Sequence, residues 1–133
     1  GFSYKPNTND TRESAAIYIC KDLIGNGAKL LIHDPQVSPK QISKDLELNE
    51  SNNLNDEIKG SWIFVKDIEK AANQADAIVI LTEWNIYKNL NWSSITAYMR
   101  KPSWIFDTRS VLDCQKIKDV DANYWGIGQG FDT

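Results

Sequence analysis

Four charged side chains stand where a parallel sheet usually binds its ligand: Lys5, Arg12, Glu83 and Arg109. Each follows a predicted strand, and the carboxyl ends of parallel strands share one edge of a sheet, so we expect these side chains to converge. An Arg can bind a phosphate through two hydrogen bonds, and a Lys adds a mobile positive charge. The sequence therefore predicts a local phosphate site built from Lys5 and Arg109, with Arg12 nearby. Glu83 could either belong to that site or cap the next helical turn.

Arg12 carries a further signal because the helix that contains it is predicted to start at Asp10. Asp10 and Glu13 fit a capping box, which places Arg12 in the first helical turn. A cation there opposes the helix dipole, so a bound anion explains it better than helix stability does.

The elements that must position these residues alternate along the chain. Strands are predicted at 1–4, 29–33, 61–65, 76–81, 103–107 and 122–127, and the main helices at 10–24, 67–73, 92–100 and 114–118. The apolar run at 76–81 is typical of a central parallel strand. This alternation predicts an α/β fold of the Rossmann-like, doubly wound type, with a mostly parallel sheet in a three-layer α/β/α arrangement. Residues 39–60 are polar, and we expect a weak helix followed by an exposed, disordered excursion.

Length and composition exclude several function classes. The chain has 133 residues, enough for one domain with a core, and its net charge of -3 gives no basic field for nucleic acid or a membrane surface. No apolar run reaches the roughly 20 residues that span a bilayer. Cys20 and Cys114 lie far apart without a secretory signal, so we expect reduced thiols in the cytoplasm. Because the chain begins on Gly1 inside a predicted strand, without Met, we expect it to be part of a longer protein.

Three other chemistries fit the sequence less well. A dinucleotide site would use Asp34 as its ribose-binding acid, but the first loop lacks Gly-x-Gly-x-x-Gly, so Asp34 is better explained as a turn residue. A catalytic cysteine needs a base, and the only histidine, His33, ends a different strand from the one before Cys114. A receiver module needs acids after its first strand, where this chain has Tyr4 and Lys5. We therefore expect no catalytic residue and no metal site in this chain.

Four stretches resemble the C-terminal, UDP-sugar-binding domain of the UDP-glucose 6-dehydrogenases. In family order, and over nearly the whole chain, they are Gly1-Phe-Ser-Tyr-Lys5 with Asp10-Thr-Arg-Glu-Ser14, His33-Asp-Pro35, Leu81-Thr-Glu-Trp84 and Phe106-Asp-Thr-Arg-Ser-Val-Leu-Asp113. The resemblance implies that residues 1–133 form a domain that binds UDP-glucose through Tyr4, Lys5 and Arg109, and that Arg12 reaches NAD.

The same resemblance describes the full-length enzyme. It implies oxidation of UDP-glucose to UDP-glucuronate by two NAD reductions, through a cysteine-bound intermediate. The NAD domain and that cysteine precede this domain in the family, and the full-length enzyme is expected to be a homo-oligomer without nucleic-acid or membrane partners. Two alternatives stay open: the same domain of a UDP-N-acetylmannosamine or GDP-mannose dehydrogenase, or a stand-alone nucleotide-binding module. The intact Thr82-Glu-Trp84 and Asp10-Thr-Arg-Glu-Ser14 motifs favour UDP-glucose.

Overall fold

The computed structural model describes residues 1–52 and 59–127 and contains two compact units, Gly1–Lys66 and Asp67–Thr133. Each unit holds a parallel sheet whose strands alternate with helices. The α/β class and the parallel pairing predicted from the sequence are confirmed, and both suit a Rossmann-like domain. Within the described ranges, no helix is long and apolar enough to cross a membrane.

The first unit is built from two helices and two strands: α1 (Ala15–Gly25), β1 (Lys29–Ile32), α2 (Pro39–Leu46) and β2 (Ser61–Phe64). The strands pair in parallel, with Lys29 opposite Ser61 and Ile32 opposite Phe64. Helix α1 ends because Gly27 adopts a φ of 92°, a left-handed conformation that glycine tolerates. The core of this unit gathers buried apolar side chains from the helices, the strands and the first loop, namely Phe2, Ala16, Cys20, Ile32, Val37, Ile42, Leu46 and Trp62.

The start of α1 differs from the prediction. The helix begins at Ala15, and the hydroxyl oxygen of its N-cap Ser14 accepts a hydrogen bond from the backbone N–H of Ala16. Glu13 has a φ of 61°, in the left-handed region, and a right-handed helix cannot run through such a residue. The capping box predicted for Asp10 is therefore wrong. Arg12 precedes the helix, so the helix-dipole argument does not apply to it.

The strand predicted at 1–4 does not form. The backbone N–H groups of Phe2 and Ser3 donate to Asp34 Oδ2 at 2.7 and 2.9 Å, so a side chain takes the donors that a strand ladder would use. The carbonyl of Phe2 accepts from Ser14 Oγ at 2.8 Å. The first four residues are thus held as a loop, and the sequence reasoning missed this because Asp34 lies about thirty positions away along the chain.

The carboxylate of Asp34 is buried and accepts four backbone hydrogen bonds. Its other oxygen, Oδ1, accepts from Gln36 and Val37, both at 2.9 Å, in the turn after β1. Burial alone would raise the pKa of Asp34, but the four N–H donors outweigh it and lower the pKa below its usual value. The prediction that Asp34 is a turn residue is confirmed, and the same side chain also fixes the first loop.

The second unit holds three strands and four helices: α3 (Ile68–Ala72), β3 (Ala77–Ile80), α4 (Asn85–Lys88), α5 (Trp92–Ala97), β4 (Trp104–Asp107), α6 (Cys114–Ile117) and β5 (Asn123–Gly126). The strands pair in parallel in the order β3, β4, β5. Within this sheet β4 lies between two partners, so the prediction that residues 76–81 form a central strand is wrong for the described sheet. Helix α4 was not predicted, and its N-cap residue, Trp84, makes no side-chain capping bond that would have signalled it.

The polar segment at 39–60 is only partly described. Its first part forms α2, which is capped by Ser38 Oγ accepting from the backbone N–H of Gln41 at 3.1 Å. Residues 53–58 lie outside the described residues, so the expected disorder there stays a prediction.

Replacing Asp34 by Asn should destabilise the chain because an amide nitrogen would face two of the four backbone donors. Hydrogen bonds to charged groups are worth about 1.5–3 kcal/mol, so we expect a loss of roughly 2–4 kcal/mol in the free energy of unfolding at pH 7. Because folding lowers the pKa of Asp34, its contribution is complete above the unfolded pKa and is lost as the pH falls through the folded value. Urea unfolding at pH 7 and pH 3 measures both effects.

The matched control is Asp22→Asn, at an exposed position of α1 in the same unit. It should leave the unfolding free energy unchanged within about 0.5 kcal/mol. Equal effects of the two substitutions, or a difference that persists undiminished at pH 3, would contradict the structural role assigned to Asp34.

Candidate functional site

Lys5 lies on a short loop of the first unit whose two ends, Tyr4 and Asp10, are joined by a backbone hydrogen bond. The backbone N–H of Tyr4 donates to the carbonyl of Asp10 at 2.7 Å, and Ser3 Oγ donates to the carbonyl of Lys5 at 2.9 Å. The side chains of Tyr4 and Lys5 are exposed next to each other at the start of this loop. An aromatic ring beside an ammonium group could contact a base or sugar and a phosphate, which is the role predicted for both residues.

Arg12 is fixed by an acid of its own loop. Its guanidinium binds Asp10 through two nitrogens, with Nη2 2.8 Å from Oδ2 and Nε 3.0 Å from Oδ1, and its backbone N–H also donates to Oδ1 at 2.9 Å. These hydrogen bonds lower the pKa of Asp10 to about 2 and raise the pKa of Arg12. The Arg12 side chain is 88% exposed, so its charge is oriented but open to a ligand. An incoming anion would have to compete with Asp10.

Arg109 is anchored through one edge of its guanidinium. Nε donates to the carbonyl of Leu81 at 3.1 Å and lies 3.7 Å from the Glu83 carboxylate. Among the residues that the structure describes, no protein group accepts a hydrogen bond from either Nη nitrogen of Arg109. The two Nη groups together form the edge that binds a phosphate with two parallel hydrogen bonds. The geometry of Arg109 therefore suits a phosphate.

Glu83 has a different role from the capping role considered for it. The next helix, α4, begins without a side-chain cap, and Glu83 instead pairs with Arg109. Both side chains are about one-third exposed, so their attraction is screened by water and contributes little stability. The pairing does hold Arg109 from the side opposite to its free edge.

A buried carboxylate holds the loop that carries Arg109. Asp107 is fully buried, and its Oδ1 accepts from the backbone N–H groups of Arg109 and Val111, both at 3.1 Å. Oδ2 accepts from the N–H of Leu112 at 2.8 Å and from the hydroxyl of Tyr124 at 3.3 Å. The loop bends sharply around this acid. The sequence reasoning did not single out Asp107, although an Asp at a strand end followed by polar residues is a known signal for such a turn.

Two further features of this loop belong to residues on either side of Arg109. Ser110 adopts a φ of 54°, a left-handed conformation that costs energy in a residue with a side chain. Thr108 donates from Oγ1 to the carbonyl of Ile80 at 2.6 Å, which ties the loop to the end of β3. This tie depends on the threonine hydroxyl, because a residue without a side-chain donor at position 108 could not form it.

The predicted site residues fall into two groups. Tyr4, Lys5 and Arg12 lie close together in sequence in the first unit, and Glu83 and Arg109 contact each other in the second. That the two groups converge at one edge stays a prediction. Within the described ranges, no group of three or more His, Cys, Asp or Glu residues could hold a metal ion.

Both cysteines are free thiols, but Cys20 is buried whereas Cys114 is partly exposed. Cys20 is 6% exposed, and burial raises the pKa of its thiol to about 11, because a thiolate is disfavoured away from water. Burial also lowers the pKa of His33. Cys20 is therefore a core residue without the electropositive, accessible surroundings of a reactive thiol.

Comparison with known proteins gives a family match over most of the chain. A model of the UDP-glucose/GDP-mannose dehydrogenase family, UDP binding domain, matches residues 1–114. UDP-glucose 6-dehydrogenase of Drosophila melanogaster is 37% identical over 131 residues, and UDP-glucose 6-dehydrogenase 3 of Arabidopsis thaliana is 36% identical over 144 residues. These alignments cover 98% and 99% of this chain but only 28% and 29% of the relatives. The chain thus spans less than a third of their length.

The contrast between the two thiols leads to a labelling prediction. In the native chain at pH 8, an aromatic disulfide reagent should modify at most one thiol at the rate of an exposed cysteine, and that thiol should be Cys114. Both thiols should react in urea. A Cys114→Ser variant should show no fast-reacting thiol until it unfolds. Fast native labelling of that variant would mean that Cys20 is accessible and ionised.

Proposed function

The chain belongs to the UDP-glucose/GDP-mannose dehydrogenase family, and we propose that it is the UDP-sugar-binding part of an NAD-dependent UDP-glucose 6-dehydrogenase. The whole enzyme would oxidise UDP-glucose to UDP-glucuronate with two NAD reductions. The nucleophilic cysteine and the NAD domain needed for that chemistry would come from other parts of a longer polypeptide. This chain would supply binding and orientation of the sugar nucleotide.

The proposal rests on how Arg109 is held in place. Its guanidinium is fixed through Nε at Leu81, and its loop is fixed by the buried Asp107, so the free edge is presented in one orientation. A cation that is ordered before binding loses less entropy when it captures a phosphate. A pyrophosphate of a nucleotide sugar is a ligand that such an edge would bind. Glu83 offsets part of the charge without occupying that edge.

The loop of the first unit would contribute the remaining contacts. Lys5 would neutralise pyrophosphate charge, and Tyr4 beside it would contact the sugar nucleotide. Arg12, which is exposed and oriented by Asp10, would contact NAD rather than UDP. UDP-glucose is proposed over GDP-mannose or UDP-N-acetylmannosamine because of the intact motifs around Arg12 and Glu83. Two free thiols fit the proposed cytoplasmic location, and the longer enzyme is proposed to be a homo-oligomer.

The isolated 133-residue chain should bind UDP weakly and should not reduce NAD. Exposed cations screened by water give little net energy, so we expect a dissociation constant in the millimolar range, about -4 kcal/mol. Titration with UDP followed by NMR should show weaker binding for Lys5→Ala and Arg109→Ala and no change for Lys88→Ala, an exposed lysine on α4. Micromolar binding that neither Lys5→Ala nor Arg109→Ala alters would place the nucleotide elsewhere, and NADH formation from UDP-glucose and NAD would refute the division of labour.

In the longer enzyme, Arg109→Ala should chiefly raise the KM for UDP-glucose and Arg12→Ala should chiefly raise the KM for NAD. Loss of a charge-assisted hydrogen bond at Arg109 is worth about 1.5–3 kcal/mol, or roughly tenfold to a hundredfold in affinity. Arg109→Lys is the matched control, because it keeps the charge but loses the two-pronged geometry, and it should recover only part of the binding. If both alanine variants raised only the KM for NAD, the role proposed for Arg109 would be wrong.

A further inference from the structure

Tyr124 is the only side chain in the described structure that donates a hydrogen bond to Asp107. Its hydroxyl lies 3.3 Å from Oδ2, and the other three donors to this carboxylate are backbone N–H groups of the loop that carries Arg109. Tyr124 belongs to β5, which pairs with β4 so that Ile105 faces Tyr124 and Asp107 faces Gly126. The hydroxyl thus reaches the carboxylate from the neighbouring strand rather than from the loop itself.

Gly126 creates the space in which that hydroxyl lies. A Cβ at position 126 would come within 2.6 Å of the Tyr124 hydroxyl oxygen and within 3.1 Å of two ring carbons. No ordinary van der Waals contact is that short, so a larger residue at 126 would require the Tyr124 ring to shift from its observed position. The position of Tyr124 therefore depends on a glycine two residues later in the same strand.

The contacts form a continuous path from Tyr124 to the proposed phosphate site. The hydroxyl holds one carboxylate oxygen of Asp107, the other oxygen holds the backbone N–H of Arg109, and Arg109 presents its free guanidinium edge. The left-handed Ser110 next to Arg109 needs such support, because its conformation is costly when unsupported. Burial and the charge of Asp107 raise the pKa of Tyr124 to about 12, so the hydroxyl stays a donor well into the alkaline range.

We propose that Tyr124 is a positioning residue for Arg109 in pyrophosphate binding, and that Gly126 leaves the space that the Tyr124 ring occupies. The hydroxyl completes the donor shell of Asp107 and so fixes the orientation of the loop from Asp107 to Leu112. This inference rests on the function proposed above, because it assigns Tyr124 an effect on ligand binding that acts only through Arg109.

A double-mutant cycle on the 133-residue chain tests this role. UDP is titrated by NMR into the wild-type chain, Tyr124→Phe, Arg109→Ala and the double variant, and thermal unfolding of each is recorded. Tyr124→Phe removes one hydroxyl and should weaken UDP binding about threefold to tenfold. In the Arg109→Ala background the same substitution should change the dissociation constant less than about twofold, because coupled residues are not additive. Gly126→Ala should reproduce the weakening, and Tyr98→Phe, at a 62% exposed tyrosine, should have no effect.

The possible outcomes separate this inference from the function on which it rests. If Arg109→Ala weakens UDP binding but Tyr124→Phe lowers only the unfolding temperature, the positioning role is wrong and the proposed function stands. Equal weakening by Tyr124→Phe in both backgrounds also overturns it, because Tyr124 would then act independently of Arg109. If Arg109→Ala leaves UDP binding unchanged, the role proposed for Arg109 and this inference both fail.

Discussion

A carboxylate shut off from water must be supplied with hydrogen-bond donors, since an unpaired buried charge costs on the order of several kcal/mol. Among the described residues, Asp34 in the first unit and Asp107 in the second are such acids, and both are supplied mainly by backbone N–H groups of nearby loops. The hydrogen bonds that compensate the buried charge therefore also fix the backbone of the loop. The loops so shaped carry Tyr4 and Lys5 in one unit and Arg109 in the other.

This arrangement explains how a chain with a net charge of -3 can offer positive charge to a ligand. The cations are few, and the backbone around them is fixed before any ligand arrives. Arg12 is oriented by Asp10, and Arg109 is oriented by the carbonyl of Leu81 with Glu83 beside it. Lys5 extends from a loop closed by a main-chain hydrogen bond. The positions of these few cations, rather than the net charge of the chain, would then determine how it binds an anion such as UDP, the ligand named for its family of domains.

The sequence predicted the elements whose signals are local. The strands predicted at 61–65 and 103–107 coincide with β2 and β4, and the helix predicted at 67–73 coincides with α3. It failed where the deciding contact spans many residues or depends on a rare backbone conformation. The backbone N–H groups of Phe2 and Ser3 donate to an acid more than thirty positions away along the chain. The left-handed conformation of Glu13 prevents the helix from starting at Asp10, where it was expected to begin. The donor from Tyr124 to Asp107 was equally invisible, because it joins side chains on two strands.

The loop held by the buried Asp107 is proposed to form the UDP-sugar site, and the position of the bound pyrophosphate is the most direct test of that claim. A crystal structure of the chain grown with UDP at tens of millimolar would locate it, since that concentration exceeds the expected millimolar dissociation constant. The phosphate oxygens should lie within hydrogen-bonding distance of both Nη nitrogens of Arg109, with the Asp107 contacts to the loop unchanged. Ordered UDP bound away from Arg109, or bound there only after the loop has left Asp107, would contradict that claim.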